Sequence, residues 1–415
     1  MQHTERVAQL RAQGVELPAP EAVELGPEVR LEQLHGPGTV LHAGTKLFGK
    51  DLLICPGARI GFEAPATVEN CAVGPGVSLH GGYFSEAVFL DGASMGSGAH
   101  VRGGTLLEEQ ANGAHTVGLK QTVLLPFVTL GSLINFCDAL MAGGTSRKDH
   151  SEVGSSFIHF NYTPFGKHGD KATASLIGDV PRGVMLRSPR VFLGGQGGLV
   201  GPLTIDYGTV LAAGFVYRRD YGPNELVVGE SLPVMKRAFS PKRYGRVRAK
   251  VEKNLRYIGN LAALWHWYEA VRLPLAGGDA LRRALYRRAQ AAIASGIKER
   301  IKRLADLADG MGESMAELEA DTGRGQTELG EQRAFAAAWP ALGAHLEAYV
   351  ERGEHDRPAF ERFRRALEQG SATSYLERVA GFSEECVAAG TVWLEGIVAR
   401  TADAPHAHGS VASPS

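Results

Sequence analysis

The sequence predicts a mainly β fold, a parallel β-helix of hexapeptide repeats, followed by an α-helical C-terminal domain. Three observations carry this expectation. Glycine accounts for 53 of the 415 residues and falls mostly before residue 230, in an apolar, β-branched background unlike a flexible linker. In the same region apolar residues recur six apart: Ile54 and Ile60; Phe89, Met95 and Val101; Leu124, Leu130 and Phe136; Leu193, Leu199, Ile205 and Leu211. After about residue 233 the chain turns rich in Ala, Leu, Arg and Glu, with apolar residues three and four apart.

A strand repeats every two residues and a helix every 3.6, so a step of six needs another geometry. In a triangular coil each face is one short strand, its apolar residue points inward, and small residues turn the corner. Three faces make a coil of about eighteen residues, and coils stack at the inter-strand spacing of ~4.8 Å. A β-sandwich with frequent turns is the alternative. The boundaries follow composition: a short helix and Pro-rich lead-in at 1–35, the β-helix at 36–232, a helical bundle at 233–400 and a disordered tail at 401–415.

In the C-terminal part, Val247, Val251, Leu255, Ile258, Ala262, Trp265 and Tyr268 mark one long amphipathic helix. Leu281, Leu285, Ala289, Ile293, Ile297, Ile301 and Leu304 mark a second. Phe335, Trp339, Leu342 and Leu346 suggest a third, and Val379, Phe382, Cys386 and Val392 a fourth. The basic run PKRYGRVRAKVEKNLR at 241–256 reads as a solvated helix face or an anion-binding surface.

Composition narrows the function. The formal net charge of -1 points to neither nucleic acid nor a membrane as partner. Cys55, Cys71, Cys137 and Cys386 form no CxxC pair and read as buried side chains in a reducing compartment. The first residues lack the apolar stretch of a signal peptide, and no apolar run approaches a bilayer span. A cytoplasmic protein is expected.

The densest polar stretch of the β region is 135–171, with Asp138, Arg147, Lys148, Asp149, His150, Glu152, His159, Asn161, Tyr162, Lys167 and His168. Acyl transfer to a sugar amine requires a base near neutrality, which suits histidine. It also requires cations for a phosphate and donors for the oxyanion. All these residue types are present here, although the same residues would also serve as an exposed loop and strand caps.

The stretch VGSSFIHFNYTPFGKH, with the following FLGGQGGLVGPLTIDYGTVLAAGFVYRRDYGPNELVVGE, resembles the C-terminal acetyltransferase domain of the bifunctional N-acetylglucosamine-1-phosphate uridylyltransferase / glucosamine-1-phosphate acetyltransferase family. The resemblance covers about residues 150–230. It implies a left-handed β-helix, acetyl-CoA as co-substrate, a sugar phosphate or nucleotide sugar as partner, and a homotrimer with sites between copies. By position it matches Asn161 and Tyr162 to substrate and acetyl-CoA contacts, Lys167 to a sugar-holding lysine, and Gly195 and Ala213 to the acetyl-CoA groove. The chain departs from the family in three places. NFCDALM replaces an Asn-His-Leu motif that carries the family's base, Glu152 replaces an Asn, and Glu230 replaces a CoA-binding Arg. An extra stretch, DVPRGVMLRSPRV, precedes the final coils.

With that upstream histidine missing, His150 is the expected base, its pKa lowered by Arg147 and Lys148. His159 and Asn161 are expected as orienting groups, Arg147, Lys148 and Lys167 as phosphate anchors, and Tyr162 and His168 as further substrate contacts. No metal is called for. Other classes remain open. A non-catalytic scaffold or sugar-nucleotide-binding protein would need no base. A sugar-1-phosphate nucleotidyltransferase would need a Gly-rich phosphate loop, and nothing in the 35 residues before the hexads resembles one. A zinc carbonic anhydrase would draw on His80, His100 and His115, but these lack that family's His-x4-His spacing.

Overall fold

Between Glu24 and Val227 the chain winds as a parallel β-solenoid of about 11 turns, followed by a helical C-terminal region. The computed structural model describes residues 2–166, 169–229, 233–236, 239–320, 325–352, 357–367 and 374–402. Every pairing between coils is parallel and in register, so each inward residue stacks on its equivalent one coil away.

The coil has three faces. On the first, Leu47, Val68, Phe84, Val101, Leu119, Phe136, His159, Leu199 and Tyr217 stack in one inward column. On the second the column is Ile54, Val73, Phe89, Leu107, Leu124, Met141, Ile177 and Ile205. On the third it runs Leu41, Ile60, Leu79, Met95, Gly113, Leu130, Val153, Leu193, Leu211 and Val227. The hexads of the sequence are steps from one column to the next. Gly113 fits because the Met95 side chain fills its place: a Cβ there would lie 2.9 Å from Met95 Cε.

The helix His3–Ala12 covers the first coil. Its buried Arg6 donates to the carbonyls of Leu25, Gly26 and Val29 at 2.8–3.0 Å, taking up backbone acceptors that have no coil below them.

The second face differs from the others by being buried on both sides. Its outward residues Leu53, Ala72, Val88, Leu106, Val123, Leu140 and Leu176 are all at most 4% exposed. The helix Ala280–Asp309 lies against its earlier strands and the helix Val247–Trp267 against Ser175–Ile177. Glu108 and Glu109, just past the strand Thr105–Leu107, clamp Arg272 of the π-helical stretch Tyr268–Arg272, with ion pairs of 3.0 and 2.6 Å. The extra stretch DVPRGVMLRSPRV forms a short helix, Val180–Gly183, wedged against the helices Val247–Trp267 and Glu384–Ala402. Val180 N donates to Asn260 Oδ1, and Arg187 donates to the carbonyls of Ala380 and Phe382. That insertion is the solenoid's half of the dock.

Helices cover Val247–Trp267, Ala280–Asp309 and Gln326–Arg352, matching three of the helical periodicities. The fourth breaks in two at Gly381, between Tyr375–Ala380 and Glu384–Ala402, because Ser383 Oγ caps a new start on Cys386 N. Val392 of that pattern is 48% exposed. The shorter helices Met311–Ala320 and Arg357–Leu367 carried no expectation. All four cysteines are buried and unpaired. Among the described residues no helix is long and apolar enough to cross a membrane.

Candidate functional site

The candidate residues sit on neighbouring coils, but at three different corners of the triangle. Between the second and third faces, the chain from Gly144 to His150 forms a small antiparallel hairpin that leaves the coil and returns. It carries Arg147, Lys148 and His150. Arg147 lies back along the wall, donating to the carbonyls of Gln110 and Phe127 at 3.1 and 2.6 Å and to Thr129 Oγ1 at 3.0 Å. Its guanidinium holds the hairpin down, while Lys148 is exposed. The His150 ring is half-buried with no hydrogen bond to Nδ1, and burial followed by the Arg147 charge holds its pKa below the usual histidine value.

Between the third and first faces, Gly154, Gly195 and Ala213 stack with backbones in close approach. A Cβ on Gly154 would lie 2.4 Å from Gly195 N, and one on Gly194 would lie 2.3 Å from Ala213 N. These glycines permit coil stacking, and exposed Ser155 and Gln196 flank them.

Between the first and second faces, residues 161–174 form the longest excursion on this side. His159, just before it, points into the core and is 1% exposed, with Nδ1 2.6 Å from Cys137 O and Nε2 2.8 Å from Ser175 Oγ. Burial lowers its pKa below the usual histidine value. It holds three successive strands together and has no free nitrogen for an external ligand. Asn161 is half-buried and donates from Nδ2 to Asp138, whose other oxygen accepts from Arg300 Nη2 at 2.5 Å. The Tyr162 ring lies over Gly169, where φ is +74° and a side chain would collide with it. Lys167 and His168 lie outside the described residues.

The helical region grips this loop. Lys250 pairs with Asp170, whose side chain is 1% exposed, and Asn254 donates to Ala172 O at 3.0 Å. Lys253 reaches Pro202 O and Asp220. The basic run at 241–256 is therefore divided. Arg248 pairs with Glu252 in solvent, while Lys250, Lys253 and Asn254 turn toward the solenoid. A cavity of about 350 Å³ opens beside the loop, lined by Asp170, Lys171, Lys242, Tyr244, Arg303 and Asp306 among others.

Across one face, about five extended residues separate the corners by roughly 17 Å. Within one chain His150, Asn161 and the Gly195–Ala213 corner do not meet at a single point. The three histidines weighed for zinc lie elsewhere: His80 pairs with Glu63, His100 stacks on Tyr83 and His115 bonds Ser132.

Comparison with curated proteins gives one consistent similarity, over about half of the chain. The chain is similar to the bifunctional protein GlmU. It is 26% identical to GlmU of Oleidesulfovibrio alaskensis over 216 residues, 52% of this chain and 41% of that protein. To GlmU of Nostoc sp. it is 26% identical over 229 residues, 55% and 45% of the two chains. To GlmU of Mycobacterium tuberculosis it is 27% identical over 193 residues, 46% and 34%. The alignment thus spans under half the length of these GlmU proteins, and no family model matches the chain.

Arg300, Lys250 and Tyr244 were not individually singled out from the sequence, although the site's loop rests on them. Only the Lys-Asn spacing within 241–256 offered a signal, because Lys250 and Asn254 share a helix face.

Proposed function

We propose that this protein transfers an acetyl group from acetyl-CoA to the amine of an amino-sugar phosphate or nucleotide sugar. The observation that carries the reading is the bare corner at Gly154, Gly195 and Ala213. Helices cover the second face and grip both of its corners, yet no helix among the described residues covers this opposite edge, whose Gly195 and Ala213 the resemblance matches to an acetyl-CoA groove. The thioester would lie along that groove, with Asn161 and Tyr162 contacting the sugar and Lys148, Lys167 and His168 contacting phosphate. Arg147 supports the hairpin, and His150, held neutral, takes the amine proton.

Because these groups occupy separate corners, the reading includes a homotrimer in which one copy's corner faces another's. Exposed apolar side chains flank the open edge in register. Phe192, Val210 and Leu226 form one column, and Ile158 and Val216 lie on the next face with Gly198 between them. Such a patch on both sides of one edge suits self-association.

The separation of the corners also favours a second reading, a sugar-nucleotide-binding scaffold without turnover. A thermal-shift screen with acetyl-CoA, CoA, glucosamine 1-phosphate and UDP-N-acetylglucosamine, followed by assay of released CoA thiol, separates the two. Acetyl-CoA stabilisation with thiol release supports transfer. Stabilisation by the sugar nucleotide alone supports the scaffold.

A further inference from the structure

The helical C-terminal region supplies a residue to the candidate site. Asp138 stands at a corner in the left-handed backbone region, with φ +57°. One carboxylate oxygen accepts from Arg300 of the helix Ala280–Asp309, and the other accepts from the Asn161 side-chain amide. The Arg300 side chain is 3% exposed and that of Asp138 is 11%, so water competes little for either bond.

The order of donors and acceptors along this chain is forced. A guanidinium can only donate and an ionised carboxylate can only accept. Asp138 must therefore meet the NH₂ end of the Asn161 amide, and the amide oxygen must face the other way. Among the described residues no group donates to that oxygen, while the Asn161 backbone carbonyl is taken by Thr173 Oγ1. We propose that Arg300 is a positioning residue which, through Asp138, fixes Asn161 as an outward hydrogen-bond acceptor selecting a ligand with an N–H or O–H donor. Such donors are the amine of an amino sugar or an amide of the pantetheine arm. The inference rests on reading Asn161 as a ligand contact and deepens it.

The same logic supplies the test. In Asp138→Asn the new amide must turn its oxygen to Arg300, leaving its NH₂ toward Asn161. Asn161 then has to flip and offer a donor outward. The double variant D138N/N161D restores an acceptor, because a carboxylate at 161 accepts from the new amide and still presents oxygen outward. R300M/D138N frees the amide at 138 to turn either way, so it relieves the forced flip. Calorimetry with acetyl-CoA and glucosamine 1-phosphate should show D138N weakening one of them about tenfold, the loss of one good hydrogen bond. Both double variants should recover much of that affinity, which a purely structural defect would not allow. The second readout needs no ligand. In ¹⁵N-asparagine-labelled protein the Asn161 side-chain resonance, identified by its absence in N161D, should be protected from exchange in the parent and exposed in D138N. Equal affinity and an unchanged resonance in D138N would overturn the proposal. If the parent binds neither probe, the ligand-contact reading fails, and the resonance alone decides the relay.

Discussion

The Tyr268 hydroxyl donates to the Glu108 carboxylate over 2.6 Å, joining the helical region to the solenoid wall where both residues are fully buried. Arg272 completes the joint, paired with Glu108 and Glu109 and lying 3.5 Å from the centre of the Tyr375 ring. Two carboxylates share one guanidinium out of reach of water. Burial first, opposed by Arg272 and reinforced by the Glu109 charge, pushes the Glu108 pKa up to about 7.

The sign of the resulting pH dependence follows. The unfolded carboxyl titrates near its ordinary value and the folded one near neutrality, so between about pH 4.5 and 7 the folded protein binds more protons. Stability from this group is full at the acid end, falls as pH rises through that window, and reaches its minimum above it. The loss is bounded at roughly 3 kcal/mol. Urea unfolding of Glu108→Gln at pH 5 and pH 7.5 should show a smaller decline than the parent. An equal decline would assign it to other groups.

Arg272→Met removes the only cation that ion-pairs with Glu108 or Glu109 among the described residues. Breaking a buried pair from one side costs about 3–5 kcal/mol. Circular dichroism should show a melting transition lowered by many degrees. Combining it with Glu108→Gln and Glu109→Gln should recover much of the loss.

Leu199 is fully buried in the first-face column, between His159 and Tyr217. Leu199→Asp places a charge in a dry interior and should destabilise the solenoid by several kcal/mol. A variant that melts like the parent would contradict the columnar core.

If acetyl transfer is detected, His150→Ala should lower kcat by roughly 10²–10⁴-fold, the scale of a general base. Because burial and Arg147 depress the His150 pKa, the acid limb of the kcat/KM profile should fall below pH 6.5. Lys167→Ala should mainly raise KM, since an anchor binds ground and transition states alike. Full activity in His150→Ala would remove it as base.

Val210 lies at the middle of the column Phe192, Val210 and Leu226 on the third face. Light scattering should give three times the chain mass for the parent and a smaller species for Val210→Glu. A monomeric parent at every concentration would count against both the trimer and a site shared between copies.

Much of the fold was legible because its causes are local. The step of six linking Leu193, Leu199, Ile205 and Leu211 records the length of one face, and each of these residues points inward and is at most 1% exposed. One further signal was present but unread. The runs AVF at 87–89, LL at 106–107 and LI at 176–177 are continuously apolar, whereas a face open to water alternates. Those runs mark the face that the helices cover. The broken fourth helix was missed because the apolar spacing continues across Gly381, and only the Ser383 cap ends it.

By itself, the sequence determined the β-solenoid, its inward columns, the principal helices and the polar segment at 135–171, since each depends on periodicity or composition within a short window. Only the tertiary structure decided what those polar residues do. Arg147 became a latch because coils some twenty and thirty-seven residues earlier present their carbonyls to it. His159 turned inward because the register with Phe136 and Leu199 assigns it a core position, where Cys137 and Ser175 satisfy both nitrogens. Asp138 met Arg300 across 162 residues of chain. A hydrogen bond of that kind depends on which face the helices cover, and no local pattern carries that information.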